Sequence, residues 1–112
     1  MAISNELVKG SVEPILLSLL KERAMYGYEI IKVVNERTNN AFQWKEGTLY
    51  PWLHRLEGDG VIASEWIGPE DGRPRKYYRI TSNGLKLLDS KVAEWASFTA
   101  AVNVLLFGAN PA

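Results

Sequence analysis

The chain has 112 residues, 46% of them hydrophobic, with 13 acidic and 13 basic side chains. That length suits one compact domain plus an appended element. Zero net charge argues against indiscriminate nucleic-acid binding, though it leaves room for a local basic face. With no cysteine and His54 as the single histidine, a disulfide framework, thiol catalysis, a thiolate metal site and a paired imidazole site are all excluded; neither a metal nor a cofactor is expected.

In chain order, residues 1 to 11 have no decisive pattern and could extend the first helix or pack against a partner subunit. They lack the basic start, apolar stretch and small-residue cleavage site of a secretion signal, so a cytoplasmic chain is expected. Val12, Ile15, Leu16 and Leu19 form the buried stripe of the first helix, and Pro14 predicts that its regular part begins late. A second helix is expected from about Tyr26 to Arg37, burying Ile30 and Val33 or Val34, with Asn39-Asn40 ending it. Phe42 and Trp44 lie in the connection and should cover the core.

The run from Lys45 to Thr81 carries the most information. Leu49, Trp52, Leu53 and Leu56 fall at helical spacing and predict one buried stripe. Thr48, Tyr50, Pro51, His54 and Arg55 occupy the opposite arc. Pro51 lacks an amide hydrogen and belongs in a first turn, which makes Thr48 the expected N-cap. Gly58 should stop the helix, with Asp59-Gly60 completing the exit. Those glycines follow a helix and not a strand, so they do not read as a phosphate loop. Strands are expected at Val61–Ile67 and Arg75–Ile80, joined through the turn signals Gly68-Pro69 and Asp71-Gly72. Alternation puts Lys76, Tyr78 and Ile80 on one strand face and Arg75, Tyr77 and Arg79 on the other. Arg73, Arg75 and Lys76 are therefore the expected phosphate contacts near the tip, with Arg79 a structural ion-pair partner. A short helix, a stop and a basic hairpin, in that order, predict a recognition helix followed by a β-wing. Such a helix fits the major groove and such a hairpin holds phosphates. Either feature alone would read as a solvated helix or a protected strand edge.

After a capping Thr81, spacings of three and four recur through Leu85, Leu88, Val92, Trp95, Thr99, Val102 and Leu106, the seam of a coiled-coil-like helix. Such a helix, about 25 residues and roughly 37 Å long, exceeds what so small a module can cover, so self-association is expected. Lys86, Asp89, Lys91 and Glu94 interrupt its first half, so no membrane span is expected. Residues 108 to 112 read as a disordered tail.

The blocks MYGYEI (Met25 to Ile30), GTLYPWLHRLEGDGVI (Gly47 to Ile62) and GRPRKYYRIT (Gly72 to Thr81) resemble the signature segments of the PadR family of bacterial transcriptional regulators. The resemblance covers essentially the whole chain, with three blocks in the right order and spacing. It is closest to the short members with a single C-terminal dimerisation helix. The resemblance implies an α+β, mostly helical fold: a winged helix-turn-helix over residues 1–80, a dimerisation helix over 81–107 and a tail. It also implies a homodimeric repressor of double-stranded DNA, with a dimer interface often responsive to an inducer. The expected DNA contacts are Thr48, Tyr50, Pro51, His54 and Arg55 on the helix, with Gly72, Arg73, Arg75 and Lys76 on the wing. Tyr26 and Tyr28 resemble family positions that support the DNA face, and ordinary core-edge packing explains them equally. Trp95, in EWASF, is foremost an interface residue and also a candidate contact for a flat aromatic effector. No paired carboxylates, phosphate loop or nucleophile with a base is present, so an enzyme is not expected. A winged helix serving only as a protein-interaction scaffold is the alternative.

Overall fold

The computed structural model describes residues 2–69 and 72–108. The N-terminal segment resolves into its own short helix, α1 (Asn5–Lys9), followed by α2 (Val12–Glu22). Ser11 sits buried between them, its hydroxyl donating to the Val8 carbonyl at 2.7 Å. The Ile3 amide donates to the Ala41 carbonyl at 2.9 Å, so this segment is tied to its own module. α2 begins at Val12 rather than late: Pro14 falls in the first turn, where an amide hydrogen has no helical partner to lose.

Met25 and Tyr26 form a two-residue strand, β1, and α3 (Gly27–Arg37) starts just after it. α3 buries Ile30 and Val34, with Val33 only partly covered. It ends where Asn39 and Asn40 take φ values of 50° and 62°, a left-handed conformation that asparagine tolerates. Asn35 then clamps the connection, accepting from the Trp44 amide at 2.8 Å and donating to the Trp44 carbonyl at 3.2 Å. Trp44 is buried and Phe42 stacks on it at 6.4 Å, as expected of two residues covering the core.

α4 (Glu46–Gly58) leads through Gly60, at φ +76°, into β2 (Ile62–Ile67) and β3 (Arg75–Ile80). Gly58 lies within the helix and Gly60 makes the turn. The sheet order is β1-β3-β2, both pairings antiparallel, with Met25 opposite Tyr78 and Trp66 opposite Lys76. Leu16, Leu17, Met25, Ile30, Leu49, Leu53, Leu56 and Ile62 fill the core beneath it. Residues 70–71, and with them part of the expected Asp71-Gly72 turn, lie outside the described residues, as do residues 109–112 of the expected tail.

α5 (Ser82–Phe107) has 26 residues, about 39 Å of helix. Thr81 caps it as expected: its hydroxyl oxygen accepts from the Gly84 amide at 3.1 Å and donates to the Gly60 carbonyl at 2.8 Å. Gly84 is buried against Val61 and Ile80. Leu87 and Leu88 pack into the core, and Lys91 reaches Glu13 on α2 at 3.3 Å. Toward its C-terminal end the helix leaves the module: Leu105 is 85% exposed and Phe107 is 74% exposed.

Candidate nucleic-acid interface

α4 begins two residues before Thr48. Lys45 is the N-cap, and the Thr48 and Leu49 amides already bond to its carbonyl at 3.0 Å. Thr48 is therefore a first-turn residue, and Pro51 sits one turn deeper than expected. There it removes the amide that would otherwise bond the Gly47 carbonyl, leaving an acceptor on an exposed turn. Leu49, Leu53 and Leu56 are fully buried, whereas Trp52 is only partly covered, with the Arg55 guanidinium 5.0 Å from its ring centre. The opposite arc is as expected: Thr48, Tyr50, Pro51, His54 and Arg55 are all exposed.

Tyr50 is held by an absence. A Cβ on Gly27 would overlap the Tyr50 hydroxyl and stand 2.7 Å from its Cζ, so the ring lies on α3 only because residue 27 is glycine. The other wall of this region is the wing. Arg75 stacks its guanidinium over Tyr26 at 4.6 Å, and Tyr26 meets Tyr77 edge-on at 5.4 Å. Together Tyr26, Tyr28, Tyr50, Trp66, Tyr78, Arg75 and Lys76 line a cleft of about 480 Å³ between α4 and the β2–β3 hairpin. Trp66 is 68% exposed and Tyr28 is 61% exposed; Trp66 is not among the site residues expected from the sequence. Its signal was strand alternation, which pairs it across the ladder with Lys76.

The wing cations divide differently from expectation. Arg73 and Arg75 are exposed, and Gly72 closes the turn with its amide on the Pro69 carbonyl at 3.2 Å. The ion pair belongs to Lys76, whose ammonium lies 3.7 Å from Glu57. Arg79 is exposed and has no ion pair among the described residues. Lys76 shares the strand face of buried Tyr78, which turns toward α4, whereas Arg79 points away from it. Burial, with Glu57 and Tyr50 nearby, raises the Tyr78 phenol above its ordinary pKa.

Residues 16–90 match the transcriptional regulator PadR-like family. The chain belongs to this family. A solved transcriptional regulator from Clostridium thermocellum is 40% identical and superposes with a TM-score of 0.85, over 94% of this chain and 99% of that one. A PadR family regulator from Eggerthella lenta is 36% identical with a TM-score of 0.81, over 93% and 88% of the two chains. An uncharacterized protein of Lysinibacillus sphaericus is 41% identical over 106 residues, covering 95% of this chain and 97% of its own.

The family match ends at residue 90, within α5 of this PadR-like chain. Of the seam residues, Leu88 is 4% exposed in the subunit's own core, so it is not available to a partner. Leu85, Val92, Trp95 and Leu106 are exposed, while Thr99 and Val102 are half-buried. Thr99 returns its hydroxyl to the Trp95 and Ala96 carbonyls at 3.0 and 3.2 Å, so it brings no unpaired donor to the seam. Trp95 borders two apolar clefts. One, of about 390 Å³, lies against Pro14, Ile15, Leu19 and Phe42; the other, of about 360 Å³, lies against Leu7 and Phe98. The first is rimmed by a Glu22–Arg37 ion pair at 2.7 Å, and Arg37 holds the Glu22 carboxyl below its usual range. Among the described residues no helix is long and apolar enough to cross a membrane, and no cluster of His, Cys, Asp or Glu could hold a metal.

Proposed function

We propose that the protein is a homodimeric, sequence-specific repressor that binds an inverted-repeat operator in duplex DNA. One α4 per subunit enters each of two successive major grooves, with half-sites about one helical turn apart, roughly 34–36 Å. The observation that carries this reading is a cleft where Tyr50, from the exposed arc of α4, meets Arg75 and Lys76 of the wing, with no acid in its lining. Thr48, Tyr50, Pro51, His54 and Arg55 face the base edges, with Gly72, Arg73 and Arg75 against the backbone. The wing fixes register and the helix reads sequence. A protein-interaction scaffold would centre an apolar patch here, whereas Arg75 stands in this cleft among polar-tipped aromatics. Location in the cytoplasm and absence of catalysis follow from the same reading.

Dimerisation uses the exposed α5 seam: Leu85, Val92, Trp95, Thr99, Val102 and Leu106. Apolar exposure on this scale needs a partner, and a second copy presents the same stripe. Trp95, between two apolar clefts, is the contact for a flat aromatic effector that relieves repression.

Footprinting on the chain's own promoter region tests the reading. A protected inverted repeat is expected, and Arg73→Ala should lower the salt slope of binding by about 0.9. Equal binding to every duplex at every salt concentration would refute it.

A further inference from the structure

We propose that Glu57 and Lys76 form a charge latch that fixes the wing against the recognition helix, making Lys76 a positioning residue rather than a phosphate contact. This rests on the DNA-binding reading and refines it. Glu57 lies in the last turn of α4, and its two carboxylate oxygens serve different strands. Oε2 accepts from the Ser64 hydroxyl of β2, and Oε1 faces the Lys76 ammonium of β3 at 3.7 Å. Among the described residues no other side chain of α4 hydrogen-bonds or ion-pairs with either wing strand. Leu56 of α4 shares the apolar core with Ile62 and Tyr78 of the wing strands, and the latch adds the polar tie to that contact.

Charge and geometry set Lys76 apart from its neighbours. Strand alternation turns it to the face of Tyr78, whose ring centre lies 5.7 Å from the ammonium, while Arg75 stacks on Tyr26 from the other side. Moving Lys76 to a phosphate would leave the Glu57 carboxylate unpaired beside a polyanion. Arg73 and Arg75 carry no such cost, since neither has an acidic partner among the described residues. A helix in the groove and a hairpin on the backbone must be held at one mutual angle. Glu57 is placed to set that angle.

The experiment titrates full-length protein with operator duplex over a salt series. It compares wild type, Glu57→Gln, Lys76→Met, Lys76→Glu, the swap Glu57→Lys/Lys76→Glu, and Arg73→Ala as the phosphate control. Glu57→Gln keeps an acceptor for Ser64 and Lys76→Met keeps the aliphatic stem, so both should fold. Each should weaken binding about two- to fivefold, the range for a half-exposed ion pair, with the salt slope unchanged. The swap should restore binding lost in Lys76→Glu, while Arg73→Ala lowers the slope. A slope reduced by about 0.9 in Lys76→Met, with no rescue by the swap, would overturn the latch. Amide hydrogen exchange of β2 and β3 in the free protein tests it without DNA. Faster exchange in Glu57→Gln is expected, and unchanged exchange overturns the latch. Failure of wild type to bind any duplex would instead sink the DNA-binding reading.

Discussion

Replacing Gly27 by alanine should cut operator affinity while leaving the fold nearly untouched. The new Cβ would stand 2.7 Å from Tyr50 Cζ and 3.0 Å from Cε1, where ordinary contact begins at 3.4 Å. The ring must therefore retreat by more than half an ångström. It can do so cheaply, because Tyr50 is 42% exposed and opens onto the cleft. Alanine at the start of α3 also returns up to about 1 kcal/mol of helix propensity, so stability should change by no more than about 1 kcal/mol, a shift in Tm within about 4–8 °C. DNA binding has no such compensation. If Tyr50 reads a base edge, its displacement costs about 1–3 kcal/mol, a loss of roughly 5- to 150-fold. The assay is fluorescence anisotropy with labelled operator at fixed salt, on Gly27→Ala, Tyr50→Ala and the double variant. Because Gly27 acts through Tyr50, the double variant should bind no more weakly than Tyr50→Ala. Wild-type affinity in Gly27→Ala, or independent losses that multiply in the double variant, would refute the reasoning.

Gly84→Ala should behave oppositely. Its Cβ would collide with the Val61 carbonyl oxygen and lie 2.6 Å from Ile80 Cγ1; backbone cannot swing aside, so thermal unfolding should show about 1–3 kcal/mol of lost stability. Truncation after Ala93 keeps Leu87, Leu88 and the Lys91–Glu13 pair, and should sediment as a folded monomer with operator affinity reduced about 100-fold or more. A persistent dimer would remove the seam from the interface. Folded Tyr78 titrates above its ordinary value, chiefly through burial. Stability from its neutral form should be complete below the unfolded pKa near 10 and be lost as pH rises through the folded one; alkaline melts of Tyr78→Phe should lack that loss. A flat heteroaromatic that quenches tryptophan emission should bind wild type more tightly than Trp95→Ala and weaken operator binding roughly 5- to 150-fold. Equal affinity for both proteins would exclude Trp95 from the site.

The elements of the candidate site were legible because each carries its own signal: three leucines at helical spacing in α4, alternation in the wing, capping chemistry at Thr81. What escaped had no period to read. β1 is two residues long, and only its register against Tyr77 and Tyr78 reveals it. The start of α4 departs from the expected Thr48 because proline favours a first turn, whereas this helix carries it in the interior and leaves the Gly47 carbonyl open. The wing cations show a different limit. Alternation correctly separated Lys76 from Arg75 and Arg79, yet sequence does not say which strand face meets α4. The acid that decides it, Glu57, is supplied by another element, so the ion pair expected at Arg79 belongs to Lys76.

The α5 seam shows the same limit in a single helix. Spacings of three and four place Leu85, Leu88, Val92 and Trp95 along one stripe, and nothing in that spacing marks where one partner gives way to another. In the structure the stripe passes from buried to exposed within one turn. Leu88 is 4% exposed on the subunit's own core, while Val92 is 54% exposed, one turn later. The changeover coincides with the Lys91–Glu13 pair, the last polar tie between α5 and α2. The helix is about 39 Å long and the chain as a whole measures 58 × 31 × 22 Å, so the far end of α5 outruns its support. Beyond Lys91 the same spacing continues through Val92, Trp95, Val102 and Leu106, interrupted only by Thr99, so the periodicity that docks the helix on its own subunit continues as the stripe proposed above to meet a second one.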